Sequence, residues 1–407
     1  MDNLSAKKFI YIVLLSIPFV IVVLATRGLT KTVPTFHGSD ELNYHYPTIL
    51  QFYESWPRIN LSDYKSATTP LFHISFAIIG KMIGPELYKL RIVNMLISMV
   101  TVWIIFSFLR RHIVELDAFL FSLCFSLSPY FWGRSFRLFT ENFAFLFWLL
   151  SLVIIYNKDN KVRFILSSIS LSMAVLSRQI TLWFVLPLMV KAILTKQKIF
   201  IFVMLLFPAL VLLPFIYIWH GLVPPHFAFI NESSILNLRA AVFTLSVLGF
   251  YTIFIRINWL LICIKKRYKL VLFGVFIGVL LVMLTQLKPL PGDDGFLWRI
   301  ASFLPNLFGG NFLFYLLLPI GVMNVIDIIK QKQFFLFSFI VAFAFSFLKT
   351  AKIFQNYYDS FVLVFLFLEF AVDVCNENLS IYRRAVGILA LTVCFVIYFV
   401  NKLSGEY

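Results

Sequence analysis

The sequence contains one dense run of groups able to move protons: His37-Gly38-Ser39-Asp40-Glu41-Leu42-Asn43-Tyr44-His45-Tyr46-Pro47. A carboxylate within hydrogen-bond reach of a hydroxyl can serve as a general base. Adjacent residues do not face the same way on a helix. One of Asp40 and Glu41 can therefore address a site while the other orients a neighbour. His37, Asp40, Glu41 and His45 also carry donor atoms that suit a divalent cation. Further along, Arg134 and Arg137 precede Glu141, and Arg178-Gln179 interrupts an apolar stretch over 164–190. The planar fork of arginine donors matches phosphate oxygens, which makes an arginine at a membrane surface a natural phosphate clamp. Two later loops gather Asp293, Asp294 and Arg299, then Lys349, Lys352, Gln355, Asn356, Tyr357, Tyr358 and Asp359.

The elements that must position these groups follow from composition. Of 407 residues, 61% are hydrophobic and 13% charged, and the mean hydropathy is +0.90. A soluble protein is roughly 45–50% apolar and about 25% charged, so a soluble globular class is excluded. Disorder is excluded too, because ample apolar surface offsets chain entropy. The formal charge is +16. No basic run alternates with aromatics as a nucleic-acid interface would require, and the excess fits basic loops facing anionic lipid. Cys124, Cys263, Cys375 and Cys394 form no C-x-x-C pair and read as small residues of apolar helices.

A hydrocarbon core about 30 Å thick needs roughly 20 apolar residues per helix. The apolar runs give thirteen candidate spans: 9–26, 92–109, 117–132, 139–156, 164–178, 180–193, 199–219, 239–262, 270–286, 311–328, 333–349, 359–374 and 385–401. The first, preceded by Lys7 and Lys8, reads as a retained signal-anchor helix. The run over 71–83 is left out. Thr68-Thr69-Pro70 predicts an N-cap followed by Pro at the first helical position, Gly84-Pro85 ends it, and the helix between reaches only about 20 Å. Arg256, near the inner end of its span, is expected to snorkel toward water.

Charge provides an independent test of this topology. With a cytoplasmic N-terminus, the inner loops after Ile92 carry Arg110, Arg111, Lys158, Lys161, Arg163, Lys191, Lys196, Lys198, Lys265, Lys266, Arg267, Lys269, Lys330, Lys332, Arg383 and Arg384, sixteen basic residues. The outer side carries nine: Arg134, Arg137, Arg178, Arg239, Lys288, Arg299, Lys349, Lys352 and Lys402. Letting 71–83 cross would invert the totals against the positive-inside rule. Residues 27–91 are therefore expected to form one long outer loop carrying short interfacial helices. All the chemistry-bearing groups above then fall on one membrane face.

Several segments in this order resemble the GT-C superfamily of polyprenyl-phosphate-sugar glycosyltransferases, and in particular the dolichyl-phosphate-glucose α-1,2-glucosyltransferase family. The family's Asp-Glu-x-x-His-x-Pro-like segment resembles 40–47, with the histidine one place later. Its Thr-Thr-x-Pro-Gly-Leu stretch resembles Thr68-Thr69-Pro70-Leu71, shortened and without the glycine. Its Leu-Arg-x-x-Asn segment matches Leu90-Arg91-Ile92-Val93-Asn94. A Tyr-Tyr-Thr-Glu element is similar to Leu138-Phe139-Thr140-Glu141, and an Arg-Gln-Thr-Asn-x-x-Trp element to Arg178-Gln179-Ile180-Thr181-Leu182-Trp183, one residue shorter. The likeness covers roughly 35–190. The family's late Asp-Asn-Arg-His-Tyr-Thr-Phe-Tyr segment is answered only by 355–361, without the Arg-His pair.

This resemblance implies an all-α, polytopic GT-C type protein of about thirteen spans. It forms a single domain, 1–407, with a GT-C-like module over 1–200 and variable helices over 201–407. It implies inverting transfer of one sugar from a polyprenyl-phosphate donor to a lipid-linked glycan or other acceptor on the exoplasmic face. The membrane would be a bacterial or archaeal plasma membrane or that of the endoplasmic reticulum. Asp40 is assigned the base and Glu41 the orientation of acceptor or neighbour. Arg178, Arg137 and Arg299 are assigned to the donor phosphate. His37, Tyr44, His45, Arg91, Glu141, Gln179, Asn356 and Tyr357 are assigned to substrate binding. The donor sugar lipid, a glycan or glycolipid acceptor and membrane lipid are the expected partners, without nucleic acid. No cofactor is expected, the divalent set above being the alternative. The rival class is a transporter or a flippase of lipid-linked sugar, which would show inverted repeats and broken helices near the midplane.

Overall fold

The computed structural model describes residues 2–30, 40–157, 161–197, 199–227, 236–376 and 381–403. In hydrocarbon, a backbone must satisfy its own polar groups, and long runs of Leu, Ile, Val and Phe do so by coiling. The result is 77% helical, with two-residue strands β1 (Asn306–Leu307) and β2 (Gly310–Asn311) pairing as a hairpin.

In chain order, α1 (Asp2–Ala25) is followed by a π-helical turn, Glu41–His45, that runs into α2 (Tyr46–Ser55). Then come α3 (Leu71–Ile83), α4 (Leu87–Leu109), α5 (Glu115–Ser126), α6 (Pro129–Ser135), α7 (Thr140–Asn157) and α8 (Lys161–Ser177). A 3-10 turn, Gln179–Phe184, leads into α9 (Val185–Leu194), and α10 (Ile199–Leu210) and α11 (Leu213–Trp219) follow. The later helices are α12 (Leu238–Ile255), α13 (Ile257–Lys266), α14 (Tyr268–Thr285), α15 (Phe296–Ser302), α16 (Phe312–Lys330), α17 (Phe334–Phe345), α18 (Asp359–Asn376) and α19 (Ile381–Leu403).

Six described helices are long and apolar enough to cross a membrane: Lys7–Ala25, Leu87–Leu109, Phe202–Trp219, Leu238–Ile255, Tyr268–Thr285 and Phe312–Lys330. The chain is therefore a multi-pass membrane protein. A seventh span arises if Pro129–Ser135 and Thr140–Tyr156, bent by 113°, act together. Most of the other expected spans are shorter, interrupted or more charged, for local reasons. The run over 117–132 breaks where Ser128-Pro129 starts a new helix, since proline offers no donor and fixes its own φ. The run over 180–193 begins as a 3-10 turn. Apolar helix α17 stops at Phe345. Helix α18 carries Asp359, Glu369 and Asp373.

Helix α3 is 13 residues long and ends where Gly84, at φ 97°, returns its amide to the Gly80 carbonyl. A left-handed φ of this kind costs a glycine little. The expected threonine cap is absent: Pro70 itself precedes the first helical residue. The Thr69 hydroxyl instead donates to the Val175 carbonyl at 2.6 Å.

Two compact units are formed, Met1–Phe108 with Ser126–Ile230 and Cys394–Tyr407, and Leu109–Phe125 with Asn231–Val393. The division falls near 230, and 109–125 joins the later helices. In the first unit α7 lies along α8, α8 along α10, and α2 against α3. In the second, α12 lies along α16, with Gly249 against the Leu317 backbone and Gly321 against that of Leu245. A Cβ at either glycine would collide with the facing main chain. Arg256 does not snorkel: it is 2% exposed, ion-paired with buried Glu369 and 4.5 Å from the Trp259 ring centroid. A carboxylate on α18 supplies the counter-charge that water was expected to provide.

Candidate functional site

The first unit gathers five separated segments into one polar layer. Its frame is an ion pair. Arg91, on the first turns of α4, donates from Nε to Glu41 Oε1 at 2.9 Å and from Nη2 to Oε2 at 2.6 Å. Its Nη1 donates to the Leu29 carbonyl at 3.2 Å. The Leu138 amide donates to Glu41 Oε1 at 2.9 Å. Glu41 is fully buried and Arg91 is 4% exposed. A fork-to-fork arginine–carboxylate pair of this kind is directional as well as strong. Both Glu41 oxygens thus orient protein.

One helical turn further along α4, Asn94 Nδ2 donates to the carbonyls of Arg134 and Arg137 at 3.1 and 2.5 Å. Asn142 donates to Ser98 Oγ at 3.0 Å, Ser135 Oγ at 3.1 Å and the Phe131 carbonyl at 3.2 Å. These bonds receive backbone and side-chain acceptors in and beside the bend between α6 and α7, where the helical ladder is broken. The sequence repeats Arg91, Asn94 and Ser98 at helical spacing on α4, which is why one face of that helix can hold the bend.

Beyond the bend sits a second charge group. Glu141 pairs with Arg178 and, at 3.4 Å, with Arg134. The three side chains are 14–17% exposed, a partly open cluster with two guanidiniums to one carboxylate. Arg178 takes extended backbone, φ −159° and ψ 104°, between α8 and the 3-10 turn. Gln179, beside it, accepts from the Thr69 amide at 3.2 Å and donates to the Ala67 carbonyl at 2.8 Å. Gln179 thus fastens the entry to α3 onto the helix break. Arg137 is 3% exposed, more deeply placed than its two neighbours.

A buried chain of three rings adjoins this cluster. His45 Nδ1 lies 3.0 Å from His73 Nε2, and His73 Nδ1 lies 2.7 Å from the Tyr64 hydroxyl. Tyr64 is stacked between Phe52 and Trp219. None of the three lies in a long apolar helix. Burial lowers the His45 pKa to about 4, with Arg178 adding to the lowering and Glu141 and Glu41 opposing it. Burial also takes His73 well below the usual histidine range, aided by His45, and pushes Tyr64 up. Both imidazoles are thus neutral near pH 7. With Nδ1 engaged by His73, the remaining His45 nitrogen is Nε2.

Asp40 immediately precedes the π-helical turn, in helical conformation and half-buried. Tyr44 is exposed, edge-on to Phe227 at 5.8 Å. His37 lies outside the described residues. No group of three His, Cys, Asp or Glu side chains placed to hold a metal occurs among the described residues.

Three expected site residues belong to the second unit. Arg299 faces Asp294 at 3.5 Å. Asn356 and Tyr357 lie half-buried in a 3-10 turn, Gln355–Tyr357. A parallel bridge between Asp294 and Phe354 joins the loops carrying these groups. There Asp293 receives Arg239 at 2.8 Å and the Ile353 amide at 3.0 Å, and buried Gln355 receives the Leu297 amide at 2.8 Å.

The layer therefore brings Asp40, Glu41, His45, Arg91, Arg137, Glu141, Arg178 and Gln179 into one unit. His73, Tyr64 and Asn142 join it without having been expected there. Their signals were slight: one histidine two residues into the 71–83 run, and an asparagine beside Glu141 in an otherwise apolar helix. Fold and site together define a multi-pass helical membrane protein with a buried ion-paired frame beneath a partly open arginine–carboxylate cluster. No protein-family model, characterised protein or solved structure matches the chain.

Proposed function

We propose that this chain is a GT-C type glycosyltransferase that transfers one sugar from a polyprenyl-phosphate donor to a lipid-linked glycan or other acceptor. The reading includes thirteen crossings, some made by short or broken helices, with the polar layer on the exoplasmic side of a plasma membrane or of the endoplasmic reticulum. One observation carries it. Five segments whose order resembles that superfamily, 40–47, 68–71, 90–94, 138–141 and 178–183, are joined by hydrogen bonds and ion pairs into a single layer.

In this mechanism Asp40 takes the proton of the acceptor hydroxyl as its oxygen attacks the anomeric carbon. The bond from that carbon to the phosphate oxygen breaks, and the polyprenyl phosphate leaves with the electron pair. The new glycosidic bond forms with inversion. The phosphate is already a competent leaving group, so it needs stabilised charge rather than a proton. Arg178 supplies that charge by exchanging part of its hold on Glu141 for phosphate oxygens, while Arg134 remains to balance Glu141. Arg137, more deeply buried, acts as fixed charge.

The test uses purified protein in detergent with a radiolabelled polyprenyl-phosphate sugar and a lipid-linked glycan. Covalent transfer without a sealed membrane is expected, and a transporter or flippase gives none. Asp40→Asn is expected to lose about 10²–10⁴-fold in turnover with unchanged thermal stability. Near wild-type transfer by Asp40→Asn refutes the assignment of the base.

A further inference from the structure

We infer that the second unit holds a site for an anionic phospholipid, its phosphate seated among Lys266, Arg267, Lys269 and Lys330. These four side chains, with Tyr268, Leu270, Asp327 and Gln331, line a hollow of about 400 Å³ where α13 meets α14 beside the end of α16. The inference is independent of the proposed transferase activity.

The walls are fixed from within. Asp327 is 2% exposed and receives Arg267 Nη1 at 2.7 Å, Trp259 Nε1 at 2.7 Å and Gln331 Nε2 at 2.8 Å. Both carboxylate oxygens are thus committed to protein donors. The guanidinium of Arg267 is anchored on one side while the residue stays half exposed. Four cations therefore line a hollow whose one carboxylate is already engaged.

Lys266 and Lys330 lie in the last turns of α13 and α16, where a cation is favoured, whereas Arg267 and Lys269 lie where it is not. Arg267 is the residue before the first turn of α14, and Lys269 lies in that turn. A helix N-terminus carries partial positive charge and favours anions there. Arg267 and Lys269 at the start of this 18-residue helix oppose its dipole, and the four cations lining one hollow repel one another. A bound phosphate relieves both terms.

A lipid rather than a free phosphate is indicated by what adjoins the hollow. Tyr268, Leu272 and Phe276 recur every fourth residue along α14 and are 62–65% exposed. Acyl chains lying on that stripe continue directly from a headgroup in the hollow. The same basic residues belong to loops whose lysine and arginine excess marks the side facing anionic lipid.

Native mass spectrometry of the delipidated full-length chain tests this, with titration by dioleoylphosphatidylglycerol and dioleoylphosphatidylcholine. The wild type is expected to bind its first phosphatidylglycerol at least about tenfold more tightly. A lysine near an anionic headgroup contributes about fivefold, so Lys266→Gln/Lys269→Gln/Lys330→Gln should lose about a hundredfold for phosphatidylglycerol alone. The corresponding triple Arg variant should retain the preference. Lys161→Gln/Arg163→Gln/Lys196→Gln, exposed or half-buried basic residues of the other unit, should leave it unchanged. Retained preference in the triple Gln variant, or equal loss in the control, overturns the site. Displacement of the lipid by millimolar glycerol phosphate would show that phosphate alone fills the hollow, and would overturn the lipid assignment.

Discussion

Replacing Glu41 with Gln separates a carboxylate that serves the fold from one that serves substrate. The side chain keeps its shape but loses its charge and one acceptor oxygen. Arg91, 4% exposed, would then keep the Leu29 carbonyl and a single amide oxygen in place of a bidentate carboxylate. The Leu138 amide would compete for that same oxygen. Breaking one partner of a buried ion pair costs about 3–5 kcal/mol, because the other charge stays in low dielectric. For a unit of 150–250 residues each kcal/mol lowers the melting temperature by about 2–4 °C, so a fall of about 10 °C is expected. Fluorescence-detected size-exclusion chromatography after heating the detergent-solubilised protein reads this directly. Arg91→Met in the Glu41→Gln background should recover part of the loss, since removing both charges is less costly than stranding one. A Glu41→Gln protein that melts within about 2 °C of wild type refutes the account of Glu41 as the frame's carboxylate.

Two further outcomes follow from the same layer. His45 is neutral in the folded chain with a pKa of about 4, below the unfolded value near 6.5. The unfolded state therefore binds more protons between those values, and stability should fall as pH drops from about 6.5 to 4. The loss is about 3 kcal/mol for this residue; it is measured by melting across that range, where His45→Gln should reduce the dependence while His73 keeps its own share. Gln179→Ala removes both bonds to the 67–69 turn and should cost about 1–3 kcal/mol. Faster protease cleavage between α2 and α3 reports that loosening, and an unchanged cleavage rate contradicts it.

The helical class and the membrane character were legible in the sequence because both are set by composition over long windows. The number of long helices was not, because a hydropathy window passes over local interruptions. Pro129 breaks the run over 117–132, and the run over 180–193 opens as a 3-10 turn, without lowering either average much. The Arg91–Glu41 pair could be placed in one region by motif order, yet its closed geometry could not. Nothing in the sequence distinguishes a carboxylate that turns inward from one that turns outward. His73 was hidden for the converse reason. A single histidine in an apolar helix has no periodic signal, and only the fold brings it to His45 and Tyr64. Arg256 was misjudged because its partner, Glu369, lies on a helix 113 residues away.

The layer's scarce charge is divided by depth, and the division assigns roles. Glu41, Asn94 and Asn142 are buried and bond groups in and beside the bend between α6 and α7, and buried Arg91 holds Glu41. A group whose donors hold backbone can exchange them with substrate only by dismantling the structure it holds. Arg134, Glu141 and Arg178 retain some exposure, and the Arg134–Glu141 contact is loose at 3.4 Å. Asp40 is half-buried at the mouth of the π-helical turn. Exchange at these positions costs one ion pair, which an incoming phosphate replaces. Substitutions in the buried set should therefore lower melting temperature and activity together. Those in the outer set should change turnover or substrate affinity while melting stays near wild type. An Arg178→Ala protein with an intact melt and an unaltered affinity for a polyprenyl-phosphate ligand would separate the open cluster from phosphate binding, and the depth rule would then describe folding alone.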